Sequence, residues 1–193
     1  MISLRPKSTN KREGSNHKGV TVLTDRVFCS MESLSRRFGT RDPFKLLEEL
    51  GTRVGFTTDY RRLKGFCLII NRIIYVRIND MLPDAEKKIV AAHELGHVVL
   101  HRARLQHAYM MQDATLYYAK DTTELEANLF AADLLMTDAS VMELAAESDA
   151  DIFSMAKILR TMPELLTFKL RSMSSRGNDI PVPIRAPSNF LSK

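Results

Sequence analysis

Apolar positions along the chain fall into helical and alternating blocks separated by clear breakers. Ser30 offers an N-cap for a short helix, MESLSRRFG, that stops at Gly39. Asp42-Pro43 opens a second, DPFKLLEEL, with proline in the first turn and Gly51 as the stop. Residues 52–64 are mixed, with room for one short strand. Two β-rich runs, Phe66–Ile70 and Ile73–Ile78, then flank Asn71-Arg72 and predict a hairpin. From Pro83-Asp84 a long helical pattern runs to about Arg102, and another, TELEANLFAADLLM, spans roughly Thr123 to Met136. Residues 103–120 are polar and aromatic, without a clear period. Shorter helical patterns follow near 138–147, 150–160 and 162–174, the last with a capping box from Thr161 to Glu164. Together these predict an α+β fold: a small antiparallel sheet or hairpin beside the long helix, and a helical C-terminal part.

Composition adds bounds. A chain of 193 residues that is 45% apolar can bury one substantial core. Cys29 and Cys67 are its two cysteines and neither belongs to a CxxC, which argues against a thiolate zinc site or a disulfide framework and for a reducing compartment. Residues 1–20 hold five cations (Arg5, Lys7, Lys11, Arg12, Lys18) against Glu13, so nearly all of the net +5 sits there. With no aromatics interleaved, this stretch reads as a solvated leader rather than a polyanion site. The expected organisation is a basic flexible extension over 1–25, a folded domain over 26–175, and a flexible tail over 176–193, where Gly177 and three prolines lie. The first twenty residues lack an apolar signal core, and the run Phe66–Val76 is broken by Asn71 and Arg72, well short of the roughly twenty apolar residues of a membrane span. A soluble, cytoplasmic protein is expected, with no membrane partner.

One block carries chemistry. Ile89–His101 reads IVAAHELGHVVLH, an almost wholly apolar helix holding His93, Glu94, His97 and His101. Ionisable groups buried without partners are costly. Residues four apart on a helix project side by side, so His93 and His97 can share one metal ion while Glu94 sits on the adjoining flank. This is the HExxH arrangement, with two imidazoles on zinc and the glutamate as general base. Zinc would bring the pKa of a bound water to about 7, and Glu94 would pass that water's proton to the leaving amine.

Catalytic zinc commonly takes three protein ligands. His101 lies two turns from His93, too far along a straight helix, and reads as a helix-end residue or a support for the ligands. The alternatives are Glu124 and Glu126, each of which closes an acceptable capping box, from Asp121 and Thr123 respectively. Glu124 shares its stripe with Ala127, Asn128 and Ala131, small or polar residues that permit close helix approach, and Asn128 could hold a ligand in place. Glu126 shares its stripe with Phe130 and Asp133, a bulkier surface. Glu124 is therefore the expected third ligand. Tyr117, Tyr118 and His107 are candidates to stabilise an oxyanion, with loop packing as the plain alternative. Cys67 is expected to pack in the hairpin.

AAHELGHVVLH together with ELEANLFAADLLM resembles the ImmA/IrrE family of metallo-endopeptidases, and RDPFKLLEELG and the hairpin ending in an asparagine agree. The resemblance covers roughly Leu34 to Met173. It implies a compact zincin-like fold of the gluzincin type, one zinc ion, His93, His97 and Glu124 as ligands, and Glu94 as base. It also implies an anti-repressor activity, cleavage of a helix-turn-helix repressor of a mobile element or stress regulon. The length leaves no room for a further sensor domain, which is nearer the ImmA side. One departure is LLMT in place of the common LLMP, which alters a helix exit at Thr137. A second reading keeps the zinc fold as a non-proteolytic module that sequesters or remodels a repressor. Direct nucleic-acid binding through residues 150–174 is not expected, because the connection lacks the usual glycine and the second helix carries only Lys169 and Arg171.

Overall fold

A computed structural model describes residues 13–58, 63–105, 122–146, 151–178 and 180, with side chains from Val22 onward. Tyr117, Tyr118 and His107 lie outside the described residues. Helix α1 (Glu13–Phe38) and helix α2 (Pro43–Glu49) lead into three strands, β1 (Arg53–Thr57), β2 (Gly65–Ile70) and β3 (Ile73–Asn79). Helix α3 (Asp84–Leu100) and the short α4 (Arg102–Leu105) follow. The remaining helices are α5 (Thr122–Leu135), α6 (Asp138–Ala145), α7 (Ile152–Ile158) and α8 (Pro163–Ser175).

The strand order is β1-β3-β2. The predicted β2–β3 hairpin is present, with Ile70 opposite Ile73. Asn71 and Arg72 both have positive φ, 49° and 66°, the pattern of a two-residue type I′ turn that matches strand twist. The sheet is mixed rather than purely antiparallel, because β1 pairs in parallel with β3. The strand that follows β1 in sequence, β2, lies on the far side of β3. At the end of β3, Asn79 holds the exit in shape: its amide donates to the Leu63 carbonyl at 3.2 Å and its Oδ1 accepts from the Met81 N–H at 3.0 Å.

Two N-terminal expectations are corrected. The first helix does not start at Ser30 but at Glu13, inside the stretch expected as a flexible extension. Ser30 bonds back to the Arg26 carbonyl at 2.9 Å instead of capping. Its helix is set by Thr24, Val27, Met31 and Leu34, which recur at helical spacing and are all buried. The capping box at Thr161 also fails. The N-cap is Met162, with Pro163 in the first turn, and the Thr161 hydroxyl is buried without a partner among the described residues. Thr137, by contrast, has become the N-cap of α6, accepting from Ser140 N–H at 3.1 Å. At the C-terminal side, Asn178 donates to the Met173 carbonyl and Ile180 packs against the core, so the fold continues past residue 176.

The centre of the molecule is the pair α3 and α5. Helix α3 lies between the sheet and α5, while α1 and α8 cover the other side of α5. Gly96 lets the two central helices meet. A Cβ there would stand 3.0 Å from Ala127 Cα, 3.2 Å from Ala127 O and 3.3 Å from Phe130 Cβ. The obstacle is backbone, which cannot swing aside.

Helix α5 is also clamped from its far side. Lys169 of α8 is 1% exposed and pairs with fully buried Asp133 at 2.8 Å and with Asp138 at 2.6 Å. Ser172 donates to the other Asp133 oxygen at 2.6 Å, and Arg176 reaches Asp138 at 3.1 Å. Burial would raise the Asp138 carboxyl, but Lys169 and Arg176 outweigh it and hold it below the usual range. Removing one member of such a pair strands a buried charge. Lys169→Met is therefore expected to cost about 3–5 kcal/mol, read by urea denaturation. Gly96→Ala is expected to cost about 1–3 kcal/mol by overpacking, read by calorimetry, because it pushes α5 away from α3.

Candidate metal centre

Helix α3 buries His93 and Glu94 on the side facing α5 and the sheet, and half-buries His97. Helix α5 brings Glu124 to the same place. His93 Nε2 and His97 Nε2 are 3.1 Å apart. Glu124 lies 3.3 Å from the first through Oε2 and 3.2 Å from the second through Oε1. Among the described residues these three form the one group of histidine, cysteine and carboxylate side chains able to hold a metal. Donors bonded tetrahedrally to zinc at about 2.0–2.1 Å stand about 3.3–3.4 Å from one another, so the spacing already suits the ion.

Two further observations bear on the fit. Glu124 Oε2 is buried and makes no well-formed hydrogen bond among the described residues, with His93 Nε2 beside it at 3.3 Å. Burial pushes its carboxyl up, but His93 and His97 more than offset this and hold it at about 2, so it is a carboxylate at neutral pH. The outer nitrogens of both imidazoles are engaged. His93 Nδ1 donates to Asn128 Oδ1 at 2.9 Å, and His97 Nδ1 faces His101 Nδ1 at 3.2 Å. Their Nε2 atoms are thereby directed at Glu124, and a cation suits all three groups. Metal and proton compete for those same nitrogens.

Glu94 is buried one residue from His93, on the flank toward the hairpin. Burial raises its pKa to about 7, against the lowering influence of His97 and of a hydrogen bond with the Cys67 thiol. Cys67 is pushed well up by burial and by the neighbouring Glu94. Cys67 does lie in the hairpin, as expected, but it also touches Glu94, a contact that needs the sheet register and was invisible in the sequence. Gly65 lets the hairpin pack directly on α3: a Cβ there would collide with Val90 Cγ1 at 2.4 Å and lie 3.6 Å from Glu94 Oε1.

Of the expected residues, His93, Glu94, His97, Glu124 and Asn128 come together. His101 ends α3, where its N–H bonds to the His97 carbonyl. Burial lowers its pKa, although Glu126 pulls the other way. Glu126 is not part of a coherent outer surface: it is 6% exposed, bonds His101 Nε2 through Oε2 at 2.6 Å, and pairs with Arg26 through Oε1. The alternative capping box from Thr123 is absent, since α5 starts at Thr122 and Glu126 is committed elsewhere. Asn128→Leu removes the acceptor for His93 Nδ1–H and is expected to weaken zinc binding roughly 10- to 100-fold, measured by chelator competition on the folded protein.

Comparison with known proteins places the chain in a family. Residues 44–171, more than half of the chain, match the peptidase family described as the IrrE N-terminal-like domain. All of His93, Glu94, His97 and Glu124 fall within the match. The chain is also 34% identical over 113 residues to the "uncharacterized immunity region protein 2" of Bacillus phage phi105, spanning 58% of this chain and 69% of that protein. The chain belongs to the IrrE N-terminal-like peptidase family.

Proposed function

We propose that the protein is a zinc-dependent endopeptidase whose substrate is a helix-turn-helix transcriptional repressor. The observation that carries the reading is the convergence of His93 Nε2, His97 Nε2 and Glu124 within 3.1–3.3 Å of one another, with Glu94 buried alongside. Those three residues would hold the ion. Zinc bound there supplies Lewis acidity that lowers the pKa of water to about 7. Glu94 takes the proton of the attacking water and delivers it to the departing amine. Asn128 holds His93 in its ligating orientation. Cys67 donates to Glu94, and Gly65 lets the hairpin that carries Cys67 pack against α3.

The substrate class draws support from the phage relative, whose name refers to an immunity region. Such a repressor places the activity in the cytoplasm. No described helix is long and apolar enough to cross a membrane. The reading is of a protein-directed enzyme rather than a DNA binder: Lys169, one of the two cations on α8, is buried against Asp133 and Asp138 and offers nothing to a phosphate.

The test is a cleavage assay with the zinc-loaded protein and the helix-turn-helix repressor encoded beside its gene. Glu94→Gln keeps the metal ligands and removes the base, so cleavage is expected to fall by at least about 100-fold. Fragments at equal rates from both proteins would overturn the assignment of Glu94. A stable complex without fragments from the wild type would instead favour sequestration of the repressor.

A further inference from the structure

His97 presents Nε2 to the proposed metal position, so its Nδ1 needs a group that holds the ring. That group is neither a carboxylate nor a carbonyl. It is Nδ1 of another imidazole, His101, at 3.2 Å. Two ring nitrogens make a hydrogen bond only when one carries a proton and the other a lone pair. With Nε2 of His97 turned to the ligand position, the proton belongs on His97 Nδ1, and His101 Nδ1 must be bare. The proton of neutral His101 then lies on Nε2. Glu126 Oε2 waits there at 2.6 Å, and the other Glu126 oxygen is paired with Arg26 of α1. His101 and Glu126 are both buried, and both nitrogens of His101 are engaged, so it is not itself a ligand.

We propose that Glu126 and His101 form a two-step relay that fixes the tautomer and orientation of His97, with Arg26 anchoring the far end from α1. The inference rests on the zinc reading above and extends it outward to residues that do not touch the metal position. The two ligating imidazoles are then held differently. His93 ends on a neutral amide, whereas His97 is backed, through one imidazole, by a carboxylate. A carboxylate behind an imidazole strengthens it as a ligand. His101 and Glu126 are positioning residues acting through His97.

The experiment measures zinc affinity of the full chain by chelator competition, beside the urea midpoint of the metal-free protein. His101→Leu and Glu126→Leu are expected to lose roughly 10- to 100-fold in affinity. His101→Asn should regain much of it and Glu126→Gln a part, since each keeps an oxygen that accepts from the ring before it while the second loses the charge. A merely structural role would lower the urea midpoint and leave affinity unchanged, or give no rescue, and either result overturns the relay. Should the leucine variants not fold, nitrogen NMR of the zinc-loaded wild type decides: His101 protonated at Nε2 and bare at Nδ1 upholds the relay, and the opposite tautomer overturns it. Wild-type protein that takes up no zinc would sink the metal reading and the relay together, whereas normal zinc uptake by the leucine variants sinks the relay alone.

Discussion

The close crossing of α3 and α5 at Gly96 and Ala127 governs the rest of the structure. The two histidines and Glu94 belong to one helix, and Glu124, the third proposed ligand, to the other. A ligand set spread over two helices keeps its spacing only if the helices are packed at backbone contact. Gly96 removes the one side chain that would separate them, and Ala127 and Ala131 keep the opposing face flat. The sheet, α1 and α8 then act as supports around this pair. They set how α3 is pressed from the hairpin side and how α5 is pressed from behind.

Burial shapes the chemistry of the centre at each step. Glu94 and Glu124 are both carboxylates, yet they are driven apart. Glu124 faces two imidazoles and stays ionised, while Glu94 faces the hairpin and a thiol and is pushed toward neutrality. Different neighbours therefore suit one carboxylate to a cation and the other to handling protons. A similar division separates Glu124 from Glu126, two residues apart on α5. One is turned toward the ligand position and the other toward His101 and Arg26.

Much of this was legible in the chain because it depends on local spacing. The i, i+4 pair His93 and His97, the small stripe of Glu124, Ala127, Asn128 and Ala131, and the Asn71-Arg72 turn are all short-range patterns. The features that were not legible depend on distant partners. Ser30 looks like a cap until Val27 and Thr24 are seen to be buried by elements from the other end of the chain. Cys67 meets Glu94 only through the register of β2 on β3 and the seating of α3. Glu126 appears as an unremarkable acid on a bulky stripe until His101 is placed opposite, and Arg26 is 100 residues away from it. Thr161 shows the reverse error: a strong local signal gave way to the proline that follows Met162.

The buried pairing of Lys169 with Asp133 ties the His93, His97 and Glu124 cluster to the C-terminal part of the fold. Helix α5 carries Glu124 but is clamped by a residue 36 positions downstream of Asp133. The position of Glu124 therefore depends on α8 as well as on α3, so a change buried beneath α8 reaches the three-residue cluster through the seating of α5.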